Sequence, residues 1–323
     1  MERRTRLKTY SHLSDARKIP SEYEIVTSRL LYYPEKGFEV LTPVTEWYQK
    51  YQKDALLSCK DWNHFEDPRA TTYTDYTSLQ KIQETFVDRL LVSFEEANYI
   101  KRLPLEWVIA ISLQLGVLRY PYHALQMCAA YLGQLAPASR LTITFLFQAS
   151  DEMRKIQRFS YLLAVLQKHN PQVAELAKAA WQHEAKWQPL RRLIENLLVT
   201  YSWSEALVAL NLCVKPAMDE LFLRATSENA RTQGDYVLAE ILLSLQEDSV
   251  WQQRWTRSLL ELLSVDLPEN SIWIHQQCER WNDSCRVALS DLAVELKSSE
   301  AQISAPGKKL IEGLLPMRGK NDL

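Results

Sequence analysis

The sequence predicts an all-α protein, one large helical bundle preceded by an extended arm. Three observations lead there. Gly is scarce, 7 of 323 residues, where average usage would give roughly 23; few positions remain for the positive-φ turns of hairpins and phosphate loops. Pro, Asx and Ser punctuate the chain so as to leave several helices of about thirty residues with short breaks, a pattern of one bundle rather than two domains. Finally, 46% of the residues are hydrophobic, with 10 Trp and 15 Tyr, which is ample material for a helical core. No repeat of 20–50 residues stands out.

Residues 1–66 differ from the rest and are read as the arm. They hold Pro20, Pro34 and Pro43 and a dense aromatic set: Tyr10, Tyr23, Tyr32, Tyr33, Phe38, Trp47, Tyr48, Tyr51 and Trp62. One short helix is expected at Thr42-Pro43, with Pro at the first helical position. Aromatic side chains on an irregular arm need a surface to bury against, either this chain's own bundle or another subunit.

The helical domain is read as 67–298. Asp67 is a natural N-cap and Pro68 a natural first helical residue. Tyr76, Leu79, Ile82, Phe86, Leu90 and Phe94 then recur at three- and four-residue steps, a helical stripe. Pro104 starts the next helix, which has a kink expected at Pro121 and stops before Pro137. Ser139 caps a third helix running to His169-Asn170-Pro171. Shorter helices follow near 172–185 and 189–200. Ser202-Trp203-Ser204-Glu205 has the capping-box pattern and opens a helix through Pro216 to about Arg231. After the Gly234-Asp235 break a helix covers about 236–264, and after Asp266-Leu267-Pro268 a last one covers about 271–297. The remainder, 299–323, carries Pro306, Gly307, Gly313 and Gly319 and is expected to be a flexible tail.

Composition excludes several function classes. The net charge is −2, with 38 basic and 40 acidic residues, which lacks the basic footprint of a nucleic-acid binder. The five Cys (59, 128, 213, 278, 285) form no CxxC pair, so neither a zinc knuckle nor a thioredoxin motif is available; reduced thiols in a cytoplasm are the expectation. The six basic residues among the first 18 precede no apolar segment, unlike a secretory signal. The best apolar run, 105–118, is interrupted by Glu106 and Gln114 and is shorter than the ~20 residues that span a bilayer. A cytoplasmic protein without membrane or nucleic-acid contact follows.

The familiar catalytic motifs are missing. The seven Gly form neither GxGxxG nor GxxxxGK[ST], and no GxSxG elbow exists. A di-iron site in a bundle wants a Glu from each of two helices and a Glu-x-x-His from each of two others; none of the six His follows a Glu at three residues. Asp61-x-x-His64-x-x-Asp67 has ligand-type residues at even steps, but capping by Asp67 and a turn at Asp61 account for it without a metal. Cys278 and Cys285 share a helix face and read as core.

Two segments nevertheless resemble a known family. Asp151-Glu152-Met153-Arg154-Lys155-Ile156-Gln157 looks like the D-E-x-R-H-x-x-Q segment of the catalytic subunit of soluble di-iron monooxygenases, where Glu and His bind iron. Glu152 survives here and Lys155 stands where His should be. Gly234-Asp235-Tyr236, followed by 243–252, resembles the second ligand segment; Ser249 replaces the ligand Glu and Gln252 the ligand His. Glu152 and Ser249 are 97 positions apart, close to the family spacing. Lys8-Thr9-Tyr10-Ser11-His12-Leu13, Arg17-Lys18-Ile19-Pro20, Asp61-Trp62 with Phe65, Asp67-Pro68 and Tyr73, Leu125-Gln126-Met127, Ala136-Pro137-Ala138-Ser139 and Asn211-Leu212-x-x-Lys215-Pro216 are similar to the non-catalytic β subunit of the hydroxylase. The likeness runs from about residue 8 to 295, nearest to β subunits of toluene, aromatic and alkene (including isoprene) monooxygenases.

The resemblance implies a ferritin-like (ribonucleotide reductase-like) bundle with extra helices. It implies a structural chain without an active site or metal of its own, in an NADH-dependent monooxygenase that inserts one oxygen from O2 into a small hydrocarbon, toluene-like or an alkene. Partners would be a catalytic α subunit holding the di-iron centre and a small γ subunit, two copies each, with an effector protein and a reductase or ferredoxin beyond. Glu152, Lys155, Ser249 and Gln252 are the vestigial ligand positions. The other two ligand positions would fall near Gln126 and among residues 217–220, where Asp219 and Glu220 are carboxylates. The Lys155 ammonium is expected to replace the cluster's charge by pairing with Glu152 or a nearby carboxylate. Tyr10, Pro20, Tyr23, Tyr32, Tyr33, Trp47, Tyr48 and Trp62 are the expected subunit contacts. Two rival readings are a stand-alone ferritin-like metalloprotein and an unrelated helical adaptor.

Overall fold

The computed structural model describes residues 21–23, 43–53, 55–96, 98–168 and 171–314. Among these residues all regular structure is helical. A short helix α1 (Pro43–Tyr48) continues as a wider π turn to Lys53. The bundle follows: α2 (Tyr73–Glu96), α3 (Leu105–Gln134), α4 (Ser139–Gln167), α5 (Val173–His183) and α6 (Gln188–Leu198). A composite helix α7 covers 203–232, and then come α8 (Tyr236–Asp266), α9 (Pro268–Glu295) and α10 (Glu300–Ile311). No helix of the described residues is long and apolar enough to cross a membrane. All five cysteines are unpaired.

α7 is the axis of the molecule. From Trp203 to Ser227 every residue is buried except Glu205 and Arg224, which is what a helix apolar on all sides requires. Two π turns, Ala209–Val214 and Glu220–Ala225, bracket a short α segment, Lys215–Asp219. Each π turn admits an extra residue and rotates the side chains that follow it. Pro216 has no N–H to donate and its ring crowds the carbonyl four residues back, that of Leu212; the wider turn lies just there. α3 and α4 pack antiparallel beside α7, and α8 and α9 close the other sides. Phe145, Trp203 and Trp255 meet edge to face in the core, with Phe145 4.9 Å from Trp255.

Several boundaries differ from the sequence expectation. The helix expected at Asp67-Pro68 begins at Tyr73. Asp67 instead accepts from the Arg69 N–H at 3.0 Å, Ala70 takes a positive φ of 46°, and Thr72 and Asp75 cap the true start, hydroxyl to carboxylate 2.8 Å. α3 passes Pro121 without a break. The expected tail is the largest correction. Residues 300–311 form a helix whose Ser299 and Gln302 make a reciprocal capping box, and it packs on α7. Gly307 is what permits that approach: a Cβ there would lie 2.2 Å from the Leu212 carbonyl oxygen. The Gly and Pro of this segment mark a tight helix–helix contact.

The middle of the stripe on α2 is turned outward. Leu79, Ile82 and Phe86 are 42%, 69% and 46% exposed, while Tyr76, Val87 and Leu91 face inward together with Gln80 and Glu84.

Candidate functional site

Four helices converge on a buried cluster of charges. α4 supplies Glu152 and Lys155, α7 supplies Lys215 and Asp219, α8 supplies Ser249 and α3 supplies Tyr122. The i, i+3 and i, i+4 spacings put each Lys beside the carboxylate of its own helix. The Lys155 Nζ donates to both Glu152 oxygens at 3.1 and 3.2 Å, and Lys215 pairs with Asp219. The pairs also cross: Lys155 lies 3.5 Å from Asp219 and Lys215 lies 3.0 Å from Glu152. Each ammonium therefore touches both carboxylates. Both also reach the Ser249 Oγ, at 3.2 and 3.3 Å, and the Tyr122 hydroxyl donates to Asp219 at 3.0 Å. Lys155 further sits 5.5 Å above the Tyr122 ring.

Two positive and two negative groups balance inside a space that admits no solvent; the Lys155 and Glu152 side chains are 0% exposed. Burial alone would raise the Asp219 pKa, but the Lys155 and Lys215 charges hold it below the ordinary carboxylate value. Burial works to lower Lys215, and Asp219 and Glu152 hold it above the ordinary lysine range instead. The Tyr122 phenol stays protonated because burial, then Asp219 and Glu152, push its pKa far up. A buried pair survives only where geometry and further hydrogen bonds offset desolvation, and this quartet supplies both.

Of the four positions named from the sequence, Glu152, Lys155 and Ser249 meet here. Gln252 does not. Its amide donates to the Asp151 Oδ2 at 2.9 Å, in a second network under α2. There Asp151 also accepts from the Tyr76 hydroxyl at 2.7 Å and from Gln80 at 3.0 Å. Gln80 bridges on to Asp248 at 3.0 Å. Arg154 joins Asp248 at 2.7 Å to Glu84 at 2.5 Å, and Arg158 carries the chain to Asp88 at the surface, 2.8 Å. Burial, and then the Asp248 charge, push the Asp151 carboxyl up to about 8.

Tyr122 and Lys215 were not singled out by residue chemistry. The α3 residue at the centre is Tyr122, one turn before the expected Gln126, which is only half-buried. A readable signal existed for Lys215: it is the one charged residue from Leu207 to Met218, and Asp219 follows it by four. Glu220 turns away and pairs with Arg224. Asp61 caps the turn Trp62–His64, and among the described residues no group of three His, Cys, Asp or Glu side chains could hold a metal ion.

The arm aromatics that are described lie on this chain's own bundle. The Trp47 indole N–H donates to the Tyr131 hydroxyl at 3.0 Å, Tyr48 donates to the Gln134 carbonyl, Trp62 meets Trp203 edge to face at 5.5 Å, and Tyr23 is buried. Each of the four packs on this chain's own residues, and Trp47 remains 38% exposed. Tyr10, Pro20, Tyr32 and Tyr33 lie outside the described residues.

A family model for the methane/phenol/alkene hydroxylases matches residues 47–266. The chain belongs to that family. It is 31% identical over 296 residues to the hydroxylase component subunit beta of the toluene-4-monooxygenase system of Ectopseudomonas mendocina, covering 90% of this chain and 89% of that one. It is 24% identical over 239 residues to the oxygenase component DmpL of phenol 2-monooxygenase from Pseudomonas sp. (strain CF600), 73% and 71% of the two chains. The fold is similar to that of a chain of toluene 4-monooxygenase solved with toluene in its resting active site, with TM-score 0.85 and 30% identity, over 92% of this chain and 100% of that one. A phenol hydroxylase chain from Pseudomonas sp. OX1 shares the fold at TM-score 0.82 and 20% identity, over 93% and 94%. In this hydroxylase-family chain the residues at the centre do not fit an iron pair. The described cluster has no imidazole, and two ammoniums already engage the oxygens of Glu152 and Asp219.

Proposed function

We propose that this chain is the non-catalytic β subunit of the hydroxylase in a multicomponent di-iron monooxygenase. A partner α subunit would hold the two irons and oxidise a small hydrocarbon, toluene-like or an alkene. A γ subunit, two copies of each chain, an effector protein and a reductase or ferredoxin complete the proposed system. The observation that carries the reading is the Lys155–Lys215–Glu152–Asp219 quartet at the centre of a bundle similar to a subunit named beta along nearly its whole length. A stand-alone ferritin-like metalloprotein needs ligands where these ammoniums sit. An unrelated adaptor is at odds with the family membership.

α2 supports a role in assembly. A surface helix ordinarily turns its apolar face to the core, yet α2 meets the bundle through the Asp151–Arg154–Glu84 network as well as through Tyr76, Val87 and Leu91, and leaves Leu79, Ile82 and Phe86 outward. We place subunit contacts on this ridge and on the arm, Tyr10, Pro20, Tyr32 and Tyr33 included. The test is capture of partners by a tag on this chain, expressed with the genes beside it. A stoichiometric complex with an iron-bearing chain is expected, with hydrocarbon oxidation by the complex and none by this chain alone. A chain recovered alone would overturn the reading.

A further inference from the structure

We propose that Lys155 and Lys215 are built-in counter-cations that keep divalent metal out of this chain, and that the carboxylate pair they hold, Glu152 and Asp219, is a latent cation site. The oxygens of Glu152 and Asp219 converge from facing helices on one small volume, since each ammonium lies within 3.5 Å of both. The Ser249 and Tyr122 hydroxyls point to the same volume. An all-oxygen set of this kind suits hard divalent ions such as Mn2+, and imidazole-free sites of Fe2+ and Co2+.

Two carboxylates this deeply buried cannot both stay ionised without compensating charge. A bundle that keeps such a pair ionised must take a cation from solution or supply one itself. Here the supply is covalent, and the sum over the four groups is zero. A divalent ion entering the intact quartet would leave an excess of two buried positive charges. It would also have to displace ammoniums fixed by hydrogen bonds to Glu152, Asp219 and Ser249. The device is therefore selective against metals rather than merely indifferent to them. On the proposed reading of the chain as a β subunit, it confines iron to the partner when both chains fold in the same pool of metal.

The experiment removes the ammoniums and leaves the oxygens. Full-length Lys155→Ala/Lys215→Ala is compared with the unaltered chain for uptake of Mn2+ and Co2+, by metal analysis after desalting and by the visible spectrum of Co2+. The double variant is expected to bind about one equivalent and to melt higher with metal; the unaltered chain is expected to do neither. Lys155→His, which keeps Lys215 as partial compensation, is the second variant, and its melting temperature is expected to rise with Co2+. A double variant that folds only when Co2+ or Mn2+ is present also supports the proposal. A folded double variant that ignores both ions overturns it, as does uptake by the unaltered chain. If the double variant folds under no condition, a folded Lys155→His that ignores Co2+ overturns it. Metal uptake by the variants with no partner captured by the unaltered chain would sink the subunit reading alone.

Discussion

Asp151 and Glu152 are adjacent on α4, yet their carboxyl groups end in different worlds. Glu152 turns inward to a closed quartet in which two ammoniums balance two carboxylates. Asp151 turns outward beneath α2, where its neighbours are amides, a phenol and the carboxylate of Asp248, and where an Arg relay runs to the exposed Asp88. Both networks are polar and buried at their inner ends. The inner one is held by charge balance; in the outer one Arg154 pairs with Asp248 and Glu84, while burial and the Asp248 charge push the Asp151 carboxyl up to about 8, towards its neutral form. Burial thus permits two solutions to the same desolvation problem, a fixed counter-charge or neutralisation.

The sharpest way to break this comparison is to remove one ammonium. Lys215→Met leaves Glu152 and Asp219 sharing Lys155 and should cost about 3–5 kcal/mol in urea unfolding. Asp88→Asn, at the solvent end of the outer relay where the carboxylate is 63% exposed, should cost about 1 kcal/mol or less. Equal losses at the two ends would erase the distinction. Lys155→Met should likewise lower the melting temperature, and no change or a rise would count against the inner pair.

The pH dependence separates the networks next. Asp151 is raised from its ordinary 3.8 to about 8, so the folded chain keeps a proton that the unfolded chain releases. Its contribution is complete below pH 4 and is lost as pH rises towards 8, at roughly 1.4 kcal/mol per pH unit in that window. Asp151→Asn should flatten this slope in melts taken from pH 5 to 8.5. Asp219 runs the opposite way: its pKa is lowered, so its contribution is present at neutral pH and is lost on acidification below the ordinary carboxylate value. A variant with an unchanged slope between pH 5 and 8.5 would mean that Asp151 is ionised beneath α2.

Smaller effects test what surrounds the two networks. Gly307→Ala drives a methyl into the Leu212 carbonyl and should cost about 1–3 kcal/mol, with α10 becoming the first site of proteolysis. Ile82→Lys, on the outer ridge of α2, should change the stability of the isolated chain by no more than about 0.5 kcal/mol while weakening partner capture. Undiminished capture by Ile82→Lys would remove α2 from the interface.

Much of the bundle was legible because its signals are local. The breaks expected at Gly234-Asp235 and at Asp266-Leu267-Pro268 fall where Asp235 caps α8 and Pro268 opens α9, and the three-residue step from Glu152 to Lys155 foretold their pairing. What was illegible depends on tertiary context. Lys215 and Tyr122 join the centre only because α7, with its two π turns, is rotated against α3 and α4. The stripe on α2 is a true helical period, but period alone does not say which face is inward, and here ion pairs override apolarity. Gly307 and Pro306 read as loop residues because their composition is the same whether the need is flexibility or a close approach to another backbone.

The most direct test of the central claim is native mass spectrometry of the complex purified through a tag on this chain, followed by dissociation of its subunits. The account predicts a hetero-oligomer whose iron leaves with the partner, with this chain released free of metal and Lys155 and Lys215 intact. Iron released on this chain would contradict it, because the two ammoniums would then not be standing where a cation could be.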